Sequence, residues 1–247
     1  ASIGTLGIKT NNSFKSLQNT TIDPLKLSHI FKNLKRKKIE NVVMEASSHG
    51  LKQHRLDGLF FDVGIFSNLS HDHLDYHKNF KDYFHSKLYL FKKLIKKSGC
   101  VITDQSIDQF SKIKNICKNR KLKLNFVSSK NDNFQIKVKS HKYYNESQLV
   151  EIVYKKLKFK FKLNLIGKVQ LKNILMAVIA AEKSGIKLKN IFNKLNKIKP
   201  IYGRLDKIGK INNNSKIILD YAHTPDALKT VLENLKNQFF NKIGRAH

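Results

Sequence analysis

Asn41–His77, "NVVMEASSHGLKQHRLDGLFFDVGIFSNLSHDHLDYH", decides the fold. It holds two apolar runs of strand length, "NVVMEAS" (41–47) and "FDVGIFSNL" (61–69), and each gives way to a polar loop. Near-continuous apolar runs of this kind read as strands of a buried parallel sheet. Ligands of such sheets sit at the carboxyl ends of the strands. The first run leads into Glu45, Ser47, Ser48, His49, Gln53, His54 and Arg55. The second leads into His71, Asp72, His73, Asp75 and His77.

Working outward, strands and helices alternate. "ASIGTLG" reads as a short strand ending in glycine. "DPLKLSHIFKNLKRKK" reads as a helix capped by Asp23, with Pro24 at its first position and Leu27, Ile30, Phe31 and Leu34 on one face. "NFKDYFHSKLYLFKKLIKK" has the period of one amphipathic helix, with Phe80, Phe84, Leu88, Phe91 and Ile95 inward. "GCVITD" is a strand, residues 107–119 a helix and "KLNFVS" a strand. From Asn133 to Ile166 the period changes to two, which predicts an antiparallel meander. "KVQLKNILMAVIAAEKSG" is a helix stopped by Gly185, and residues 186–197 form a shorter one. "KPIYGRLDKI" reads as a linker, followed by a strand, a turn and a helix opened by Pro225. The expected class is α/β: a mostly parallel sheet flanked by helices, with an antiparallel meander attached.

The 247 residues carry a formal charge of +30, with 48 basic residues against 18 acidic. Only five of the 48 are arginines: Arg36, Arg55, Arg120, Arg204 and Arg245. Such a charge admits two readings: a binder of polyanions, or a solvated lysine-rich surface of the kind that AT-rich coding produces. The lysines are spread along the chain rather than gathered in one arm, which favours the solvated surface. Cys100 and Cys117 lie in apolar or helical patterns without a CxxC or a zinc spacing, so a reduced, cytoplasmic setting is expected. No signal peptide is read, and the longest apolar run, 174–181, is far short of the ~20 residues of a membrane span.

Taken residue by residue, the loops leave alternatives open. Glu45 at a strand end suits a magnesium ion, a hard cation that prefers oxygen ligands, but taken alone it more often pairs with a surface lysine. The histidine cluster is either a metal site or a polar loop, since no fourth ligand is set up for zinc by spacing. No GxxxxGK[ST] loop occurs in the sequence, and "IGKVQ" at Ile166 lacks both the upstream glycine and the hydroxyl residue.

"MEASSHGLKQHRLDGLFFDVGIFSNLSHDHLDYHKNFKDYFHSKLYLF" closely resembles the Mur ligases, ATP-dependent amide-forming enzymes of peptidoglycan synthesis. "IGTLG", "NTTIDPL", "NLIGKVQLKNILMAVIAA", "GRLD" and "DYAHTPDAL" occur in the family's order. The branch it resembles adds the third amino acid to UDP-N-acetylmuramoyl-L-alanyl-D-glutamate; the alternative on the same scaffold is a folylpolyglutamate or cyanophycin-type ligase, against which the Thr20–Thr21 pair and "SSHGLKQHR" argue. The resemblance implies a P-loop-like central ATPase domain over residues 1–200 that lacks its first strand and phosphate loop. It also implies a linker and the start of a Rossmann-like C-terminal domain over 201–247, cut short. It implies a monomer acting on ATP, the UDP-sugar dipeptide and a free amino acid, diaminopimelate or lysine. Specific nucleic-acid binding and membrane insertion are not expected, and the fragment alone is expected to be inactive.

The site residues follow from the resemblance alone. Glu45 and His73 stand as magnesium ligands, with Asp72 and Asp75 holding the loop and His71 given no role. Lys87, fourteen residues beyond His73, stands where the family has a carbamylated lysine. Asn19, Thr20 and Thr21 resemble residues that grip the UDP-muramoyl group, with Ile22 where proline is usual. Ser47, Gln53 and Arg55 resemble contacts to the muramoyl-peptide. Asn173 resembles the adenine contact, with Gln170 where asparagine is common. Arg204, Asp220, Tyr221 and His223 resemble hinge and ribose or phosphate contacts, with Tyr202 in a place often held by proline.

Overall fold

The computed structural model describes residues 1–70, 72–128, 136–211 and 215–239. The elements in order are β1 (Ser2–Gly4), β2 (Gly7–Lys9), β3 (Phe14–Lys15), α1 (Pro24–Arg36), β4 (Val43–Met44), α2 (Ser48–Lys52), β5 (Phe61–Phe66), α3 (Phe80–Tyr89), β6 (Ile95–Asp104) and α4 (Phe110–Asn119). Then follow β7 (Lys123–Ser128), β8 (Ile136–Tyr144), β9 (Ser147–Tyr154), β10 (Leu157–Leu163), α5 (Lys168–Lys183), α6 (Leu188–Phe192), β11 (Asp206–Lys210), β12 (Lys216–Leu219) and α7 (Pro225–Phe239). The strands form sheets in the orders β3-β2-β1-β4, β10-β9-β8-β7-β6-β5 and β11-β12. β1 runs parallel to β4 and β7 to β8, whereas β1–β2, β8–β9 and β9–β10 are antiparallel. The fold is therefore α/β with mixed sheets flanked by helices.

The chain divides into two compact units. One comprises residues 1–64, 73–101 and 111–123, the other 65–72, 102–110 and 124–247. In the first unit, Ile3, Ile22, Leu27, Leu34, Leu51, Leu56 and Leu94 form the core. Helix α1 enters it as the sequence predicts. The Asp23 carboxylate accepts from the N–H groups of Leu25 and Lys26, Pro24 opens the helix, and Leu27 and Leu34 are buried. Ile22 is buried in the same core, which gives its side chain a packing role just beside Thr21.

Two expectations in this unit need correction. "NVVMEAS" is not a buried strand: only Val43–Met44 pair, at the end of a four-stranded sheet, and Val43 is 71% exposed. The helix expected to run through Ile95 ends at Tyr89, and Leu90–Leu94 form a π-helical turn before β6 begins at Ile95. The extra residue in that turn keeps Phe91, Leu94 and Ile95 all buried, which is why the apolar pattern looked unbroken. The turn leaves carbonyls to be satisfied, and the Arg120 guanidinium donates to those of Phe91 (2.7 Å) and Ile95 (2.8 Å). Gly64 allows the approach of β5, because a Cβ there would come within 2.7 Å of Ile95 Cδ1.

In the second unit the meander is antiparallel as expected, with Lys160 opposite Glu151 and Ile136 opposite Tyr154, while residues 133–135 of the expected stretch lie outside the described residues. Helix α5 packs Leu171, Leu175, Met176, Val178 and Ile179 inward and ends before Gly185 (φ 91°). The stretch read as a linker, 199–208, runs into β11, which pairs with β12. Ile166, Leu205 and Leu235 share one apolar cluster. The buried Gln238 of α7 accepts from the Gly167 N–H (3.2 Å) and donates to the carbonyls of Asn145 (2.7 Å) and Ser147 (3.0 Å). Leu205, Leu235 and Gln238 therefore pack directly against the meander and the start of α5.

Candidate active site

The residues expected from three separate stretches of the first unit meet around one hydroxyl. Thr21 is 1% exposed. Its Oγ1 accepts from the Ser47 N–H (2.9 Å) and the Ser47 hydroxyl (2.9 Å), and donates to the Glu45 carbonyl (3.3 Å). One donor and two lone pairs are all used. Ser47 is also the N-cap of α2, accepting from the Gly50 N–H at 3.1 Å. A Cβ at Gly50 would lie 2.5 Å from Thr21 Cβ, so the first turn of α2 can approach Thr21 only as glycine.

Arg55 joins the group from beyond α2. Its Nη1 donates to the Thr21 carbonyl (2.7 Å) and its Nε to Gln53 Oε1 (2.8 Å), while Gln53 Nε2 donates to the Tyr76 hydroxyl (2.9 Å). Thr20 shares a hydrogen bond with Thr5 (3.0 Å), and Thr5 donates its N–H (3.0 Å) and hydroxyl (2.6 Å) to Glu45 Oε2. Thr5 was missed in the sequence, because nothing in "IGTLG" marks that hydroxyl as the partner of a residue forty positions on. Asn19 is exposed and makes no hydrogen bond to another described residue.

His73 is exposed and has a left-handed backbone (φ 55°). Its carbonyl accepts from the N–H groups of Tyr76 (3.2 Å) and His77 (3.0 Å), a closed turn that offsets the strain. The His73 ring lies 5.1 Å from that of His49 and 5.7 Å from that of Tyr83. Lys87, in the last turn of α3, places its ammonium 5.1 Å from the Tyr83 ring centre. One buried tyrosine is thus the common neighbour of His73 and Lys87. His71 lies outside the described residues. Asp75 is exposed and makes no hydrogen bond to a described residue, so it does not hold the loop as expected. Asp82 does: it accepts from the Lys78 N–H (3.1 Å) and from Lys52, whose hydrogen bond holds the Asp82 carboxyl below the usual carboxylate range.

No group of three or more His, Cys, Asp or Glu side chains among the described residues forms a ready-made metal cage. The donor set nevertheless suits magnesium. Thr5 occupies only Oε2 of Glu45, leaving Oε1 available, and magnesium keeps most of its ligands as water and takes few from protein.

In the second unit, Asp220 spends both carboxylate oxygens on backbone, accepting from Leu205 N–H (2.8 Å) and Ala222 N–H (2.8 Å). Arg204 lies 5.2 Å over the Tyr221 ring, and the Tyr221 N–H donates to the Gly203 carbonyl (2.9 Å). His223 Nδ1 is 3.0 Å from the Tyr221 carbonyl, and its Nε2 is 3.8 Å from Asp72. Gln170 donates to the Arg204 carbonyl (3.0 Å). Asn173 and Tyr202 are exposed.

Residues 1–181 match the family description "Mur ligase middle domain". The chain belongs to the Mur ligase family. Among the curated relatives of this Mur ligase chain is the UDP-N-acetylmuramoyl-L-alanyl-D-glutamate–2,6-diaminopimelate ligase of Rickettsia montanensis. It is 33% identical over 241 residues, covering 96% of this chain and 49% of the relative. The ligase of the same name from Zymomonas mobilis is 34% identical over 236 residues, covering 96% and 48%. A solved ligase structure of that name superposes with a TM-score of 0.80 at 28% identity, over 96% of this chain and 47% of the other. The chain thus spans about half the length of the curated relatives it matches. Among its described residues no helix is long and apolar enough to cross a membrane.

Proposed function

We propose that this Mur ligase chain is the middle part of an ATP-dependent ligase of peptidoglycan precursor synthesis. The whole enzyme phosphorylates the side-chain carboxylate of D-glutamate in UDP-N-acetylmuramoyl-L-alanyl-D-glutamate. The amine of the incoming amino acid then attacks the acyl phosphate carbon, phosphate leaves, the amine loses its proton and an amide results. The relatives' names favour diaminopimelate over lysine as that amino acid. Residues 1–200 act as the central ATPase domain and 201–247 as the linker and opening of the C-terminal domain.

The observation that carries this reading is the meeting of Thr20, Thr21, Glu45, Ser47, Gln53 and Arg55 in one hydrogen-bonded group, in a unit where His73 and Lys87 share Tyr83. Arg55 uses two of its five N–H donors internally, so its guanidinium is already oriented when the remainder meet a substrate carboxylate. Glu45 Oε1 and the His73 ring would hold magnesium, which neutralises charge on the phosphates during transfer. Lys87, as a carbamate, would present an anionic oxygen where its ammonium would repel a metal. Asn173, Arg204, Tyr221 and His223 would meet the nucleotide. Asp220, with both oxygens bonded to backbone, would serve by shaping the 203–223 hinge. The setting is cytoplasmic, where the nucleotide precursor and ATP are found.

The complete coding sequence, expressed and purified, should release ADP only when the UDP-linked dipeptide and diaminopimelate are both present. The purified 247-residue chain should show no turnover. ADP release with glutamate as acceptor on a folate substrate, and none on the muramyl dipeptide, would overturn the assignment.

A further inference from the structure

One buried side chain in the first unit joins segments to which the proposed reading gives different tasks. The His77 ring is 0% exposed. Its Nε2 is 3.0 Å from the hydroxyl of Ser48, the first residue of α2. Its Nδ1 has no hydrogen-bond partner and faces Asp82 Oδ2 of α3 at 3.6 Å, beyond hydrogen-bond length. The same Asp82 oxygen is held by Lys52 of α2 and by the Lys78 N–H. The His77 backbone N–H closes the His73 turn at 3.0 Å. Its ring also lies 5.2 Å from Tyr83, the neighbour of both His73 and Lys87.

The ring is kept uncharged, first by burial and then by the nearby Lys52 ammonium, which together outweigh the pull of Asp82. An uncharged imidazole has one N–H, and the Asp82 carboxylate favours it on Nδ1. Nε2 is then an acceptor for the Ser48 hydroxyl. A phenylalanine would fill the same space and hold neither contact.

We propose that His77 is a positioning residue for the ligase reaction: it keys α2, the His73 turn and α3 into one register. In that register Arg55, His73 and Lys87 face a common substrate. This inference rests on the Mur-type reading of the site. With its ring fully buried, His77 acts through Ser48, the turn and Asp82. Residues that orient ligands from behind typically change metal affinity or activity by about 10–100-fold.

The test uses the complete enzyme with His77→Phe, His77→Gln and Ser48→Ala. Turnover, Mn2+ affinity by electron paramagnetic resonance and thermal unfolding are followed together. His77→Phe should lower kcat and weaken Mn2+ binding by about tenfold or more, with the KM for ATP nearly unchanged. His77→Gln, whose amide can reach Ser48, should recover a large part of both. Ser48→Ala should move both in the same direction by a few-fold, and it settles the matter if His77→Phe does not fold. If kcat and Mn2+ affinity stay within twofold of wild type in folded His77→Phe, or in Ser48→Ala when it alone folds, the inference fails, whatever the melting temperature does. The two readings fail separately. A wild-type enzyme inactive on the muramyl dipeptide overturns the function, while weakened Mn2+ binding in the variants would still support the joint.

Discussion

The two groups of candidate site residues are built differently. In the first unit, Thr21, Glu45, Ser47, Gln53 and Arg55 are joined side chain to side chain or side chain to backbone. In the second, Asn173 stands exposed, Arg204 rests on an exposed Tyr221, and Asp220 is consumed by its own backbone. The first group carries its geometry within itself. The second presents exposed groups on a backbone that Asp220 holds, with no such side-chain network among the described residues. The lesson is that fold stability and catalysis should be inseparable in the first group and separable in the second.

The largest effect should come from Lys87. In the complete enzyme, Lys87→Ala should cost about a hundredfold or more in turnover, as for other lost groups that stabilise developing charge. A short carboxylic acid should restore part of it. Lys97→Ala, at an exposed position, should leave turnover near wild type and gain nothing from the acid. Wild-type turnover by Lys87→Ala at low bicarbonate would remove the carbamate role.

Thr21→Val tests the coupling directly. It would leave the Ser47 N–H and hydroxyl without their buried acceptor, at a cost of about 2–3 kcal/mol. That should lower the melting temperature by about 5–10 °C and turnover with it. Unchanged stability would break the contrast between the two groups. Asn173→Ala is the counterpart. An exposed side chain without partners should move stability by no more than about 0.5 kcal/mol, while the KM for ATP rises several-fold. A large loss of stability there would erase the distinction from the other side.

The smallest effect should be a pH slope, to which His141 of the second unit contributes. Burial, with a lesser push from Lys168, holds His141 below its ordinary value of 6.5, against a hydrogen bond to the Gln148 side-chain oxygen that raises it. The unfolded chain therefore binds a proton that the folded chain refuses. The contribution is complete above about pH 6.5 and is lost as pH falls from there towards the lowered value. His77 is lowered in the same sense, so both add to the slope. Melting temperature should fall between pH 7.5 and 5.5, and His141→Gln should flatten that fall. An identical slope in the variant would acquit His141.

Much of this was legible in the chain, for physical reasons that differ by element. Asp23 and Pro24 mark the start of α1 because capping chemistry is local. The meander is legible because period two survives over "QIKVKSHKYY" and "KLKFKFKLN". The π-helical turn was not, because Phe91, Leu94 and Ile95 keep an apolar phase that a straight helix also explains. Among site residues, "NTT" and "SSHGLKQHR" were recognised by resemblance, whereas Thr5 and His77 depend on contacts between positions far apart in sequence. A buried histidine and a loop histidine look alike in "HDHLDYH"; only burial separates His77 from the exposed His73.

The Arg120 fork has a consequence for heredity. A single base change, AGA to AAA, turns arginine into lysine. An ammonium is a point charge that cannot aim fixed N–H groups at two carbonyls the way a planar guanidinium does at Phe91 and Ile95. Arg55, with two divergent acceptors, and Arg204, flat over Tyr221, make the same demand. In a chain with so few arginines, three of the five sit where the exchange would forfeit a second contact or a stacked face. The rarest basic letter in this text therefore works as a marker, pointing without any alignment to the places where spelling is constrained by shape.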